Sequence, residues 1–277
     1  MLKNAIDLPG VSNARELGCY PVGDKYIKNS VLLRTGSLNG ASPETLRTLC
    51  DRYHVQTVID LRMKAEQDCR PDPYINGAKN IRASVIELED YPGADPAFLN
   101  EFIKPDADRM KLFEMSYNSG VIGSDAYDLF LLGERGKTAY RCFFQTLLET
   151  DDGAVLWHCT DGKDRTGCAA MLLLSALGAN RETIMEDYLL TNEFNAAVLS
   201  AVQKKAAALQ LSPEKRDALI FMSGCVVGSY MEHALDTLNK RYSGITGYLR
   251  DELGVGDAEI RALKVKYLSD KWGLMNG

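Results

Sequence analysis

The sequence predicts an α/β fold with a mostly parallel sheet and an almost wholly helical C-terminal half. Three observations predict it. Short apolar runs of strand type alternate with helical stretches through the N-terminal half. The run AVLWH at 154–158 reads as a buried strand and stands just before a helix rich in Ala, Leu and Met. From about 166 to 270 helical patterns follow one another almost without a break. The 277 residues, 45% hydrophobic and 25% charged, suit one large domain over 1–277 with a sizeable core.

The elements follow in order. VLLRT at 31–35 reads as the first strand. Ser42, Pro43 and Glu44 then open a helix running to about Tyr53, with Ser as N-cap and Pro in the first turn. VQTVID at 55–60 and NIRASVI at 80–86 read as further strands. Residues 90–136 hold several Pro, Gly and Asp and only weak helical patterns near 96–104 and 107–117. A helix at 137–150 carries Tyr140, Phe143, Phe144, Leu147 and Leu148 on one face. Gly254 and Gly256 punctuate the last two helices.

A net charge of −6 argues against a broad nucleic-acid surface, so an anionic ligand must be drawn by a local positive site. The first residues lack the apolar run of a secretory signal, and CAAMLLLSALGA is too short to span a bilayer. The expectation is a cytoplasmic protein without stable membrane insertion, with a signal-less export route left open. Seven cysteines without a C-x-x-C pair point to free thiols and not to a zinc or dithiol motif.

The chemistry concentrates after AVLWH, in HCTDGKDRTG at 158–167. A tight loop at a helix N-terminus aims backbone N–H groups at a tetrahedral oxyanion. Gly162 admits a close backbone approach. Arg165 grips two oxygens of a phosphate in a fork. The same positive field favours the thiolate of Cys159, a nucleophile placed for in-line attack on a bound phosphate. Thr160, Asp161, Gly162, Lys163, Asp164, Arg165 and Thr166 form the candidate phosphate cradle. Thr166 is placed to hydrogen-bond the sulfur, and His158 to orient the loop through backbone contacts. Cys168, nine residues on, reads as core packing, with a redox partnership to Cys159 as the sharper alternative.

At these residues the chain resembles the bacterial tyrosine-phosphatase family with atypical, lipid-active members. SNARELGCY at 12–20 resembles its N-x-R-[DE]-L-G-G-Y opening, with Cys19 in place of a Gly. LLRTGSL, VIDLRMKAE, HCTDGKDRTG, EDYLLTNEF and YLRDELGV resemble its later signatures. The resemblance implies a tyrosine-phosphatase-like fold, with a central mixed sheet flanked by helices. It also implies a phosphocysteine intermediate and neither metal nor other cofactor. Cys159 would be the nucleophile and Arg165 the clamp. Segments 192–209 and 213–228 would form a helical lid over 192–228, or equally part of the core. Asp161 departs from the family's usual Ala and makes the loop similar to that of myotubularin-type lipid phosphatases. Lys163 adds a cation suited to an inositol head group. A phosphorylated protein or a phosphoinositide is therefore the expected partner.

Such chemistry needs an acid for the leaving oxygen. Asp164 and Asp60 stand equal as candidates, then Asp161, then Asp125; Asp128 lies in the same interval. Asp60 follows an apolar strand and should lie at the sheet's carboxyl edge. Its structural alternative is an ion pair with Arg34 or Arg62, and Arg15, Arg34 and Arg62 read first as ion-pair formers. Two other readings compete: a phosphate-binding module without turnover, and a rhodanese-type sulfurtransferase.

Overall fold

The structure is a computed structural model that describes residues 2–91, 95–104, 107–118 and 123–270. The outermost ends of the expected domain, residue 1 and residues 271–277, lie outside the described residues.

Five strands make the central sheet: β1 (Arg15–Glu16), β4 (Leu32–Thr35), β5 (Val55–Asp60), β6 (Lys79–Arg82) and β7 (Ala154–His158). Their order is β1-β4-β7-β5-β6, with β1 antiparallel to β4 and all other pairs parallel. The sheet is thus mixed. A second, antiparallel sheet joins β2 (Pro21–Val22), β3 (Lys25–Ile27) and β8 (Leu268–Ser269). The chain is therefore extended at 268–269, where the sequence pattern predicts continuing helix.

Alternation along the strands explains the layers, because successive side chains point to opposite faces. Val155 and Trp157 of β7 enter one apolar core, and Ala154 and Leu156 enter the other. The larger core lies under α5 (Asp125–Leu132), α6 (Glu134–Glu149), α7 (Arg165–Leu177) and the helices after them. The smaller is closed by Ile6, Leu8, Leu38, Leu49 and Tyr53 from the N-terminal segment and the helical turns after β4. With both faces covered, the central strand β7, AVLWH, reads as a nearly continuous apolar run.

Local signals set the helix ends. Ser42 Oγ accepts from the Thr45 N–H at 3.1 Å and Pro43 opens α1 (Pro43–Arg47), which widens into a π-helical turn over Thr48–Arg52. Asp95 caps α3 (Pro96–Phe102) in the same way. The run 80–86 leaves the sheet after Arg82. There the Ala83 N–H turns to the Asp60 carbonyl, and Val85 and Ile86 bury in the larger core outside the ladder.

The helical half continues with α8 (Arg181–Phe194), α9 (Ala196–Ala208), α10 (Pro213–Met222), α11 (Gly228–Tyr242), α12 (Ile245–Leu253) and α13 (Asp257–Tyr267). Among the described residues no helix is long and apolar enough to cross a membrane. What positions the site is the parallel run of β4, β7 and β5, whose carboxyl ends finish side by side at Thr35, His158 and Asp60. The crevice beyond such ends is where open α/β sheets place ligands.

Candidate active site

The loop from Cys159 to Arg165 joins β7 to α7. Its shape follows from where its carbonyls go. The Ser37 N–H donates to the Thr160 carbonyl at 2.9 Å. Asn13 Nδ2 donates to the carbonyls of Asp161 and Gly162, at 3.1 and 2.9 Å. Arg34 Nη2 donates to the Gly162 carbonyl at 2.9 Å. In a trans peptide the N–H points opposite to the C=O. Tying three successive carbonyls towards the N-terminal segment therefore turns the N–H groups of Asp161, Gly162 and Lys163 to the other side, as an oxyanion cradle requires.

Gly162 has a reason beyond closeness to an anion. Its φ is +68°, and a Cβ there would stand 2.4 Å from the Thr35 carbonyl oxygen. The loop rests directly on the end of β4, so both conformation and contact demand glycine.

The braces are themselves held. Arg15 and Arg34 are fully buried and both pair with Asp187 of α8. The Arg15 Nε to Asp187 distance is 3.0 Å. Burial pushes the Asp187 carboxyl up, but the two guanidinium groups outweigh it and hold it below its ordinary value. Burial, with Arg34 beside it, brings Arg15 down to about 10. Both arginines act behind the loop, as ion-pair formers.

Cys159, Thr160, Asp161, Lys163, Asp164 and Arg165 line a cavity of about 90 Å³. Its walls are apolar: Met63, Tyr91, Phe98, Phe102, Phe130 and Phe221 face it, and Met222 joins them. Arg165 donates to Glu66 Oε2 at 2.7 Å and to Thr160 Oγ1 at 3.1 Å, and Thr160 donates in turn to Glu66. Burial pushes the Glu66 carboxyl up, yet the charge and hydrogen bond of Arg165 bring it below the ordinary value. Glu66 is thus the buried counter-ion of Arg165. Its only signal in the sequence is its place in the VIDLRMKAE run.

Asp164 reaches the cavity with both oxygens engaged. It accepts from Tyr127 Oη at 2.7 Å and from Lys163 Nζ at 2.6 Å. Tyr127 shares a 2.6 Å hydrogen bond with Tyr188. Lys163 Nζ also lies 3.6 Å from the centre of the Phe221 ring, so α10 sits against the loop through a cation–π contact. Thr166 Oγ1 is buried with no hydrogen-bond partner among the described residues.

Other predicted site residues go elsewhere. Asp60 is not in the cavity wall; Arg62 grips both of its oxygens, at 2.9 and 2.7 Å. Of its two structural alternatives, Arg62 is the partner. Asp125 and Asp128 lie on α5 outside the cavity wall, and Asp128 pairs with His233 at 3.1 Å. Cys168 is buried in α7, its thiol pushed up first by burial and then by the Asp164 charge, which favours the packing reading over a reactive thiol.

Comparison with known proteins places the chain in a family. A protein of Cupriavidus necator provisionally named a tyrosine-protein phosphatase is 28% identical over 257 residues, covering 91% of this chain and 85% of its own. A tyrosine-protein phosphatase of Nostoc commune is 33% identical over 129 residues, 46% of this chain and 43% of that one. The triple specificity protein phosphatase PtpB of Mycobacterium tuberculosis is 33% identical over 121 residues, 40% of this chain and 42% of that one. The profile of the tyrosine phosphatase family matches residues 6–269. With that match spanning nearly the whole chain, this protein belongs to the tyrosine phosphatase family.

Proposed function

We propose that the chain hydrolyses phosphotyrosine through a phosphocysteine intermediate. One observation carries the reading: the Cys159–Arg165 loop forms the floor of a cavity walled by aromatic side chains. A phosphate on the floor puts its ester oxygen towards those walls, and an aromatic leaving group gains apolar and edge-to-face contacts there.

The Cys159 thiolate attacks phosphorus in line while the P–O(aryl) bond breaks. Asp164, in its protonated form, gives its proton to the leaving phenolate. Water then attacks the phosphocysteine and passes a proton to Asp164. The P–S bond breaks, and the thiolate is restored with phosphate released. Thr166, whose hydroxyl has no other partner among the described residues, donates to the departing sulfur. Arg165 and the loop N–H groups hold the equatorial oxygens, where charge develops. The acid role falls to Asp164 and not to Asp60, because Asp164 lines the cavity beside Cys159 and Asp60 does not.

The lid over 192–228 rests on α10, whose Phe221 and Met222 line the cavity, with α9 packed on α10 within the single domain. A phosphoinositide is the second reading, favoured by Lys163 in the cradle. That lysine is already engaged by Asp164 and Phe221, so an added head-group phosphate must compete for it.

The test is phosphate release from a phosphotyrosine peptide and from soluble phosphatidylinositol 3-phosphate, by the wild type and Cys159→Ser. The expected result is preference for the peptide and silence of the variant on both. Preference for the lipid would transfer the assignment to phosphoinositides. Turnover by the Ser variant would end the covalent mechanism, and a silent wild type would leave a binding module.

A further inference from the structure

Beneath Cys159 lies a buried charge cluster that this mechanism does not use. His158 is fully buried between two acceptors. Its Nε2 lies 2.9 Å from Oδ2 of Asp72, and its Nδ1 lies 3.1 Å from the carbonyl oxygen of Cys159. A neutral imidazole has one N–H and satisfies one acceptor; its other nitrogen would set lone pair against lone pair. A carboxylate and a carbonyl both only accept. Both ring nitrogens must therefore carry protons, which makes the ring a cation.

Charge balance leads to the same place. The groups around the ring are Asp60, 3.9 Å from Nε2, and Asp72, with Arg62 paired to both carboxylates. Two carboxylates and one guanidinium leave a negative charge uncompensated unless His158 is protonated, and an unpaired buried charge is strongly unfavourable. The triad Asp60, Asp72 and His158 has the composition of a metal site, but the Arg62 guanidinium already bonds both of its carboxylates. Asn80 Nδ2 completes the set by donating to Asp72 at 3.0 Å. Burial opposes the ring's charge, but the Asp72 hydrogen bond and the charges of Asp60 and Asp72 outweigh it and raise the His158 pKa, with Arg62 acting against them. On the sulfur side, Arg165, Tyr140 and Cys168 are among the described groups that interact electrostatically with Cys159.

We propose that Asp72 is a positioning residue that keeps His158 an imidazolium directed at the Cys159 carbonyl, and thereby favours the Cys159 thiolate. This rests on Cys159 being the nucleophile. Asp72 lies outside the cavity that holds the loop and touches no substrate. Its effect passes entirely through the ring.

Asp72→Asn tests it, because the amide keeps the shape and can bond a neutral ring. The readout is the pH profile of iodoacetamide alkylation at Cys159, followed by mass spectrometry of the Cys159 peptide, beside the profile of kcat/KM. The acid limb of both should move up by about one pH unit, a tenfold loss at a pH on that limb. Rates at pH 9 should match the wild type. An unmoved limb, or an equal loss at every pH, would overturn the proposal. Alkylation reads the thiolate without turnover, so it separates this proposal from the assignment of activity. If Asp72→Asn does not fold, nitrogen NMR of the wild type decides. The chain has three histidines, which makes the His158 ring assignable. Two protonated ring nitrogens at neutral pH uphold the proposal, and one overturns it.

Discussion

Replacing Glu66 by Gln removes one charge from the centre of the site and almost nothing else. Oε2 of Glu66 accepts from Arg165 and from the Met63 N–H, at 2.7 and 3.0 Å, and Oε1 accepts from Thr160. A Gln carbonyl placed at Oε2 keeps the first two bonds. Its amide then faces the Thr160 hydroxyl, which can accept instead of donate. The loss is therefore electrostatic. For opposite charges ~4 Å apart at an effective dielectric near 20, the attraction is about 4 kcal/mol. Relief of the burial cost of Glu66 offsets part of it, leaving a net destabilisation of about 2–3 kcal/mol. For a domain of this size that lowers Tm by about 3–5 °C. Inorganic phosphate supplies the missing negative charge beside Arg165, so it should raise Tm more in the variant than in the wild type. Thermal unfolding with and without phosphate measures both effects. An unchanged Tm, or an equal gain from phosphate, would refute the view that Glu66 neutralises the clamp.

Other outcomes follow from the same geometry. Asn13→Ala should lower kcat/KM for a phosphotyrosine peptide about tenfold, because it frees two loop carbonyls; steady-state kinetics at constant pH check this. Asp187 has its pKa held below the unfolded value, so its stabilisation is full above the ordinary carboxylate range and is lost as pH falls through the folded value. Asp187→Asn should therefore lower stability at pH 7 and flatten its fall at acid pH, as read by denaturant titration across pH. Phe221→Ala removes the ring beneath Lys163 and should speed alkylation of Cys159 at neutral pH by opening the cover. EDTA should leave phosphate release unchanged, since every step above uses side chains of the chain itself; loss of activity restored by a metal would contradict that.

Much of this was legible in the residues because the signals are local. The strand at 55–60 and the Ser42–Pro43 helix start follow from alternation and capping. The loop was legible because its chemistry is contiguous. What escaped has non-local causes. Strands β1, β2, β3 and β8 have two or three residues each, too few for a periodicity to show. Helix α5 lies in a stretch whose pattern is broken by Gly and Asp, and it takes its place by burying Tyr127 and Phe130. Asp60 and Asp164 could not be ranked from sequence, since the difference lies in partners: Arg62 for one, and Tyr127 from 37 positions upstream for the other. Asp72 carried no motif at all, and its meaning arises only where it meets His158, 86 positions away.

The bracing of the loop by Asn13, Arg34 and Asp187 also bears on when the protein can first act. A ribosome delivers Asn13 and Arg34 early, Cys159 late and Asp187 later still. A nascent chain that has just exposed Cys159 still lacks Asp187, the anchor of Arg15 and of the Arg34 that braces the loop. The activity proposed for the loop therefore arrives only with α8, after most of the polypeptide has been made, and a fragment truncated before Asp187 is expected to carry the whole signature loop yet remain inert.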